Sequence, residues 1–497
     1  MTLIELIMNK FTLIALLASA CLGATVQAAT KPNIVFILAD DMNRDTWGAY
    51  GGKDCKTPNI DKLAGEGMRF DRVYCSVAMC GPFRQELYSG RTPWRTGTLP
   101  NHSKSTLDTK SIPHYLKPLG YRVALIGKSH IGPKEAYPFE SIRFERSDGN
   151  AGFLESTKMF IDSCEKEDKP FCLFICSSDS HAPFTTGDPS AYNAKDFTIP
   201  PYWLDTPELR ETLVKYYAEI THFDSLVGQM REMLEKRGQW ENTIFMVCSE
   251  QGTQLPFAKW TCYDNGLHTG LVAHWPGVVK PGSVAGELIS TADVTPTLVD
   301  AAGGSLKPDD CDGKSFLKTL KGGAQVLHEN VFGAFTNCRI IENRERVYPI
   351  RVIRNKNFSF IYNPNHKGVT SNLTLSGVLA GFGEPNSKRK DTENQKAANS
   401  FFDKKDTSPQ ANALVYKINH RPEFELYNLT KDQFELKNEV QNPEYKNIVE
   451  AMKKRLLERL AELGDSDPIA TEQALLAAKN YNKSPSKRKN TSEKKVK

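Results

Sequence analysis

Asn33-Ile34-Val35-Phe36-Ile37-Leu38-Ala39, running directly into Asp40-Asp41, sets the architecture of this chain. From Ile34 to Ala39 the run is apolar and partly β-branched, which reads as a strand buried on both faces, as in a parallel sheet. Two adjacent carboxylates then stand at its carboxyl end, where open α/β sheets place their ligands. Adjacent carboxylates repel unless a cation holds them, although a solvated acidic turn would read the same way. Three further runs repeat the arrangement. Residues 121–127 deliver Lys128-Ser129-His130, residues 171–177 deliver Asp179-Ser180-His181, and residues 243–249 deliver Glu250-Gln251, with Lys259 following. Each lone histidine or lysine has an ordinary structural explanation, but the repetition at strand ends predicts one rim. The fold class is therefore α/β: a doubly wound, mostly parallel sheet flanked by helices.

Helices are predicted over residues 57–68, with Ile60, Leu63 and Ala64 on one face, over 111–119 and over 209–236. Another strand closes near His274. Beyond residue 331 the pattern changes: residues 351–354 and 357–362 read as antiparallel strands around a turn, and 423–429 as another strand. A helix over 445–463 closes the region, and the polar stretch 364–412 reads as a long insertion loop. This gives a catalytic domain over 30–330, a smaller C-terminal α+β subdomain with an antiparallel sheet over 331–465, and a basic, disordered tail over 466–497.

Residues 1–29 read as an export signal, with Lys10, an apolar run over 11–22 and small residues around Val26-Gln27-Ala28. The run is too short to span a membrane, so the mature chain is expected to be periplasmic or secreted with no transmembrane segment. A lipobox-like match at Leu17 to Cys21 offers lipidation as an alternative. A net charge of +5 on 497 residues does not suggest a nucleic-acid binder. Of the eleven cysteines, Cys172, Cys176 and Cys248 read as packed thiols, while Cys55, Cys75, Cys164, Cys262, Cys311 and Cys338 are disulfide candidates in an oxidising compartment.

Cys80-Gly81-Pro82-Phe83-Arg84 is the other informative stretch. A helix beginning at Pro82 would turn backbone N–H groups and a positive dipole end toward residue 80, and Arg84 would add a permanent charge. Alone, the pentapeptide equally describes a buried structural cysteine beside a surface arginine.

Together these segments resemble the formylglycine-dependent type I sulfatases of the alkaline phosphatase superfamily. The markers, across residues 30–465, are Asp40-Asp41, the Cys80 to Arg84 pentapeptide, Ser89-Gly90-Arg91, Gly127-Lys128-Ser129-His130, His181-Ala182-Pro183, Glu241-Asn242-Thr243-Ile244 and Glu425-Leu426-Tyr427-Asn428-Leu429. The resemblance implies a sulfuric ester hydrolase in which Cys80 is oxidised to formylglycine by a formylglycine-generating enzyme or an anaerobic maturase. The hydrated aldehyde is the implied nucleophile, and its second hydroxyl lets the product leave without attack by water. Asp40, Asp41, Glu250, Gln251 and residue 80 are the implied metal ligands, all oxygen donors, so Ca²⁺ is expected first and Mg²⁺ second. Arg84 and Lys128 are implied to neutralise charge around the sulfate, His130 to accept a proton, and His181 and Lys259 to hold the sulfate and protonate the leaving oxygen. Phe83 departs from the family's Ser or Thr, Glu250-Gln251 from Asp followed by Asn or His, and Ser129 from a bulky aromatic.

The first functional expectation is a sulfatase acting on a sulfated polysaccharide or its oligosaccharides. Arg91, Arg95, His102 and His268 are candidates for recognising sugar anions. A phosphonate monoester or phosphodiester hydrolase of the same superfamily shares the metal-ligand pattern. A non-catalytic sulfoglycan-binding protein is the third reading, invited by Phe83 and Gln251 and opposed by the retained cations and histidines.

Overall fold

The computed structural model describes residues 31–142, 144–336, 347–370 and 393–477. The export segment, Cys338 and residues 478–497 of the basic tail lie outside them.

The large sheet contains β1 (Asn33–Leu38), β2 (Met68–Tyr74), β3 (Arg122–Gly127), β4 (Glu140–Ser141), β5 (Phe171–Cys176), β6 (Thr243–Cys248), β7 (His268–His274), β8 (Ser283–Ala285) and β9 (Ile289–Ser290). Their order is β4-β3-β5-β1-β6-β7-β2-β8, with β9 also paired to β2. The central strand, β1, is the run that opens in Asn33, and it lies parallel to β5 and β6. All six of its residues are buried, as a two-faced apolar strand requires. Only β7 runs against its neighbours, β6 and β2. The sheet is flanked by helices. Pro58–Glu66, Gly149–Lys166 and Pro207–Lys236 form one packed group, and Cys80–Ser89, Ile112–Leu116 and Val294–Ala301 another. The longest begins at Pro207 because Thr206 accepts from Leu209 N at 3.1 Å and proline suits the first helical position.

A second, antiparallel sheet follows the order β10 (Val331–Phe335), β11 (Ile350–Arg354), β12 (Phe358–Tyr362) and β13 (Phe424–Asn428). Helix Lys446–Glu462 covers it, packing Met452, Leu456 and Leu460 on Ile353, Phe360 and Leu426. The sheet is tied to the first by Ala334 N, which donates to Ser76 O at 2.7 Å.

Three expectations require correction. Part of the stretch read as an insertion loop is helical, as Glu393–Asp403 and Pro409–Asn419. Its polar composition hid an apolar face: Ala397, Ala398 and Phe401 are buried, and the first of these helices packs on Pro207–Lys236. The stretch read as a disordered tail begins with helix Pro468–Ala477, where fully buried Glu472 accepts from Tyr348 N at 2.8 Å. Lastly, all nine cysteines among the described residues are buried and unpaired with one another, including Cys55, Cys75, Cys164, Cys262 and Cys311. They pack as small apolar side chains.

Candidate active site

Asp40 and Asp41 follow β1 with no solvent exposure. Asp40 is held on both sides of its peptide: its N–H donates to Asp179 O, and its carbonyl accepts from Ser180 N, each at 2.8 Å. Asp41 adopts a left-handed φ of 50°, uncommon for a residue with a side chain. β6 delivers Glu250 and Gln251, both fully buried. β3 ends at Gly127 with φ 88°, and a Cβ there would lie 2.2 Å from Cys176 O. No other residue fits that position.

Cys80 opens a helix that starts two residues earlier than the sequence suggested, because Phe83 N already donates to Met79 O at 3.0 Å. Residue 80 therefore sits in the first turn itself. Its Sγ lies 3.4 Å from Lys259 Nζ. Burial pushes the thiol up to about 11 in spite of Lys128 and Lys259, so it is a neutral thiol and not a thiolate.

Three carboxylates and three cations share this interior. Lys259 Nζ lies 2.7 Å from Asp41 Oδ2, and Lys128 Nζ contacts Asp40 Oδ2. Arg84, fully buried, lies 2.6 Å from Glu250 Oε1 through Nε and 3.7 Å from Asp40 Oδ1 through Nη2, and donates from Nη1 to Lys128 O at 2.6 Å. Burial opposes ionisation of both carboxyls. At Asp40, Lys128 leads the contacts that overcome burial and hold the carboxyl well below the usual range. At Glu250 burial outweighs Arg84, the Asp40 charge adds to it, and the carboxyl is pushed well above.

Donor atoms of Asp40, Asp41, Cys80 and Glu250 all lie within 4.8 Å of one another. Gln251 adjoins them, donating from Nε2 to Asp41 Oδ1 at 2.5 Å and to Glu250 Oε2 at 3.0 Å. Asp40 Oδ1, Glu250 Oε1 and Gln251 Oε1 are buried without a hydrogen-bond partner. The Arg84 Nε contact to Glu250 is short but off-line, a charge contact without a directed hydrogen bond. Buried acceptors left open are costly, and oxygen donors gathered this closely fit a hard divalent cation.

Two histidines adjoin this centre. His181 Nδ1 lies 2.7 Å from Ala182 O and so carries the ring proton, leaving Nε2 as acceptor 3.0 Å from Gln254 Nε2 and 3.5 Å from Asp41 Oδ2. His130, again left-handed with φ 51°, has Nε2 2.9 Å from His102 Nδ1. Burial, with Lys128 beside it, lowers His130 to about 3, so its imidazole is neutral.

The structure thus brings Asp40, Asp41, Cys80, Arg84, Lys128, Glu250, Gln251 and Lys259 together, with His130 and His181 beside them. Of the four candidates for sugar recognition, only His102 joins them. Arg91 donates to Asp310 O at 2.9 Å, Arg95 pairs with Asp312 at 2.9 Å, and His268 binds Asp264 at 2.8 Å. Phe83 is fully buried in the apolar core, whereas Ser129 is exposed. Sequence reading missed Asn101, which accepts from Gly81 N at 3.2 Å, and Gln254. Gln254 was signalled only by lying three residues beyond Gln251. A cavity of about 870 Å³ is lined by Asn43, Tyr216 and His268 but by none of the ten residues gathered at the centre.

A sulfatase family model matches residues 32–305, and a model of the C-terminal part of N-sulphoglucosamine sulphohydrolase matches 252–370. The chain is 32% identical over 443 residues to an ulvan-active sulfatase of Formosa agariphila, covering 88% of this chain and 81% of that one. It is 24% identical over 479 residues to human N-sulphoglucosamine sulphohydrolase, covering 86% and 89%. Among solved structures, a protein in complex with its substrate D-glucosamine-2-N,6-O-disulfate superposes with a TM-score of 0.64 at 18% identity, covering 88% of this chain and 99% of that one. The phosphonate monoester hydrolase of Agrobacterium radiobacter superposes with 0.66, also at 18%, covering 87% and 96%. The fold is alkaline-phosphatase-like. The chain belongs to the sulfatase family and is a sulfuric ester hydrolase.

Proposed function

We propose that this protein is an exported sulfatase that removes sulfate esters from a polysaccharide or its oligosaccharides, using formylglycine made from Cys80 and a divalent cation, Ca²⁺ before Mg²⁺. The observation that carries this reading is the set of open, buried oxygens on Asp40, Glu250 and Gln251 surrounding Cys80, each within a cluster of matched cations. Asp40, Asp41, Glu250, Gln251 and residue 80 would hold the cation. The hydrated aldehyde supplies the nucleophilic oxygen, and the cation lowers its proton affinity.

The protein's own groups do the rest. Arg84 and Lys128 keep positive charge beside the sulfate, where negative charge builds as the ester bond breaks. Lys259, 3.4 Å from Cys80 Sγ, holds a sulfate oxygen and supplies the proton to the leaving alcohol, a role that His181 shares only once its Nε2 has taken up a proton. Neutral His130 accepts a proton from residue 80. Arg84 and Lys259 are buried and Lys128 is partly so, which limits screening by water. Export is supported by the leader-like residues 1–29, and no helix among the described residues is long and apolar enough to cross a membrane. The polysaccharide substrate is supported by the ulvan-active relative.

Mass spectrometry of the tryptic peptide from Val73 to Arg84 tests the reading, on protein made beside a formylglycine-generating enzyme or an anaerobic maturase. An aldehyde at Cys80 with Cys75 unchanged, followed by sulfate release from ulvan oligosaccharides, is the expected result. A thiol that neither maturase converts would overturn it. Glycan binding without turnover after conversion would also do so.

A further inference from the structure

We propose that Asn101 and His102 are positioning residues that fix which nitrogen of His130 carries the proton. The consequence for catalysis rests on the role proposed for His130; the arrangement itself does not.

The order of hydrogen bonds dictates the result. Gly81 N is a fixed donor, one residue beyond Cys80, and it donates to Asn101 Oδ1 at 3.2 Å. That contact orients the amide, which places Nδ2 3.4 Å from His102 Nε2. An amide nitrogen can only donate, so His102 Nε2 accepts and the ring's proton lies on Nδ1. His102 Nδ1 then donates to His130 Nε2 at 2.9 Å. A neutral His130 whose Nε2 accepts must carry its own proton on Nδ1, a buried atom with no hydrogen-bond partner among the described residues.

Two independent features hold this chain of contacts in place. His102 and His130 both adopt left-handed backbone, with φ 61° and 51°, and neither is glycine. Such conformations persist where the surroundings enforce them. Residue 81 is glycine, and a Cβ there would lie 3.0 Å from Asn101 Oδ1, 3.3 Å from His102 N and 3.5 Å from His130 Nε2. The three groups close over the start of the nucleophile's helix in space that a side chain would occupy.

The only ring lone pair of neutral His130 is therefore on Nε2, and His102 occupies it. His130 takes up a proton only by exchanging that hydrogen bond, so His102, whose own side chain reaches solvent, gates its basicity.

Asn101→Asp reverses the logic. A carboxylate still accepts from Gly81 N but offers His102 Nε2 an acceptor, which moves the His102 proton to Nε2 and the His130 proton to Nε2 in turn. Full-length protein labelled with ¹⁵N-histidine, with and without maturation, reports the tautomers directly by imidazole nitrogen shifts. The expected result is a protonated Nδ1 on His130 in the parent and a protonated Nε2 in Asn101→Asp. His102→Gln, whose side-chain amide can replace the donor, is expected to keep the parent pattern; His102→Leu is expected to lose it. An unchanged His130 pattern in both folded Asn101→Asp and folded His102→Leu overturns the inference. If Asn101→Asp does not fold, the contrast between His102→Gln and His102→Leu decides it alone. Turnover separates this inference from the functional reading. In mature Asn101→Asp, kcat on ulvan oligosaccharides is expected to fall at least about tenfold with KM little changed. A reversed tautomer with unchanged kcat would leave the positioning role standing and remove His130 from the proposed chemistry.

Discussion

Arg84 and Arg351 are both fully buried and both face carboxylates, but only Arg351 is closed. Arg351 makes a two-pronged contact with Asp465, Nε to Oδ2 at 2.5 Å and Nη2 to Oδ1 at 3.2 Å, while Nη1 donates to the carbonyls of Phe335 and Ile350. Trp94 Nε1 adds a donor to Asp465 at 2.8 Å. Every nitrogen is used, and the pair ties the second sheet to the chain that follows its covering helix. Arg84 instead contacts Glu250 off-line, stands 3.7 Å from Asp40 Oδ1, and leaves open acceptors on both carboxylates. Two arginines of equal burial therefore do different work: one completes a structure, and the other leaves capacity for a ligand. Burial of charge alone does not separate a site from a strut; the unfilled acceptors do.

The comparison can be broken most sharply at Cys80. Cys80→Ser is expected to lower sulfate release about ten-thousand-fold or more, read by ion chromatography, with little change in unfolding midpoint. Arg351→Met should leave activity per folded molecule intact.

Stability reverses the ranking. Arg351→Met strips a buried carboxylate of its ion-pair partner and is expected to cost about 3–5 kcal/mol in urea unfolding. Arg84→Met should cost distinctly less in excess Ca²⁺, because the cation takes up the carboxylates it frees. Equal losses would erase the distinction between closed and open pairs.

Glu86 tests the closed kind on the site's own helix. It accepts from Ser76 N at 3.0 Å and Ser76 Oγ at 2.6 Å, yet burial raises it from 4.5 to about 7. Between those values the folded chain holds a proton that the unfolded chain has lost. Its contribution is therefore full below pH 4.5 and is lost as pH rises to about 7, roughly 3 kcal/mol in all. Glu86→Gln should flatten that slope in denaturation curves taken across the window.

The smallest effect is the cation's own. Calcium at a hundredfold its dissociation constant should stabilise chelator-treated protein by about 2.7 kcal/mol, read by scanning calorimetry. Asp41→Asn should reduce that gain, whereas Arg351→Met should not.

The four parallel strands and their polar ends were legible because a strand buried on both faces leaves an uninterrupted apolar run. β2 was not read as a strand, since its alternation of Arg69, Asp71 and Arg72 with Phe70 and Val73 belongs to a half-buried position near the sheet edge. The helix Glu393–Asp403 was obscured by polar residues, its small apolar face gaining meaning only against Pro207–Lys236. Compartment suggested disulfides, but thiol burial is decided by packing that no spacing reveals. At the site, the charged residues were visible as residues following strands. Asn101 was not, and His102 was read only as a candidate for sugar recognition, because their contacts come from backbone shape: a left-handed turn at His102 and the missing side chain at Gly81.

The backbone bonds joining Asp40 to Asp179 and Ser180 carry the sheet's ladder past the strand ends and into the site. Amide exchange at these positions then requires the central strands to separate. Asp40 and the root of the His181 loop are consequently expected in the slowest-exchanging part of the molecule. Heat inactivation should coincide with global unfolding, with no earlier loss of activity from a loosened rim. Under the proposed function, adaptation to substrates of different shape would fall to the surrounding loops, while the strand-end rim stays rigid.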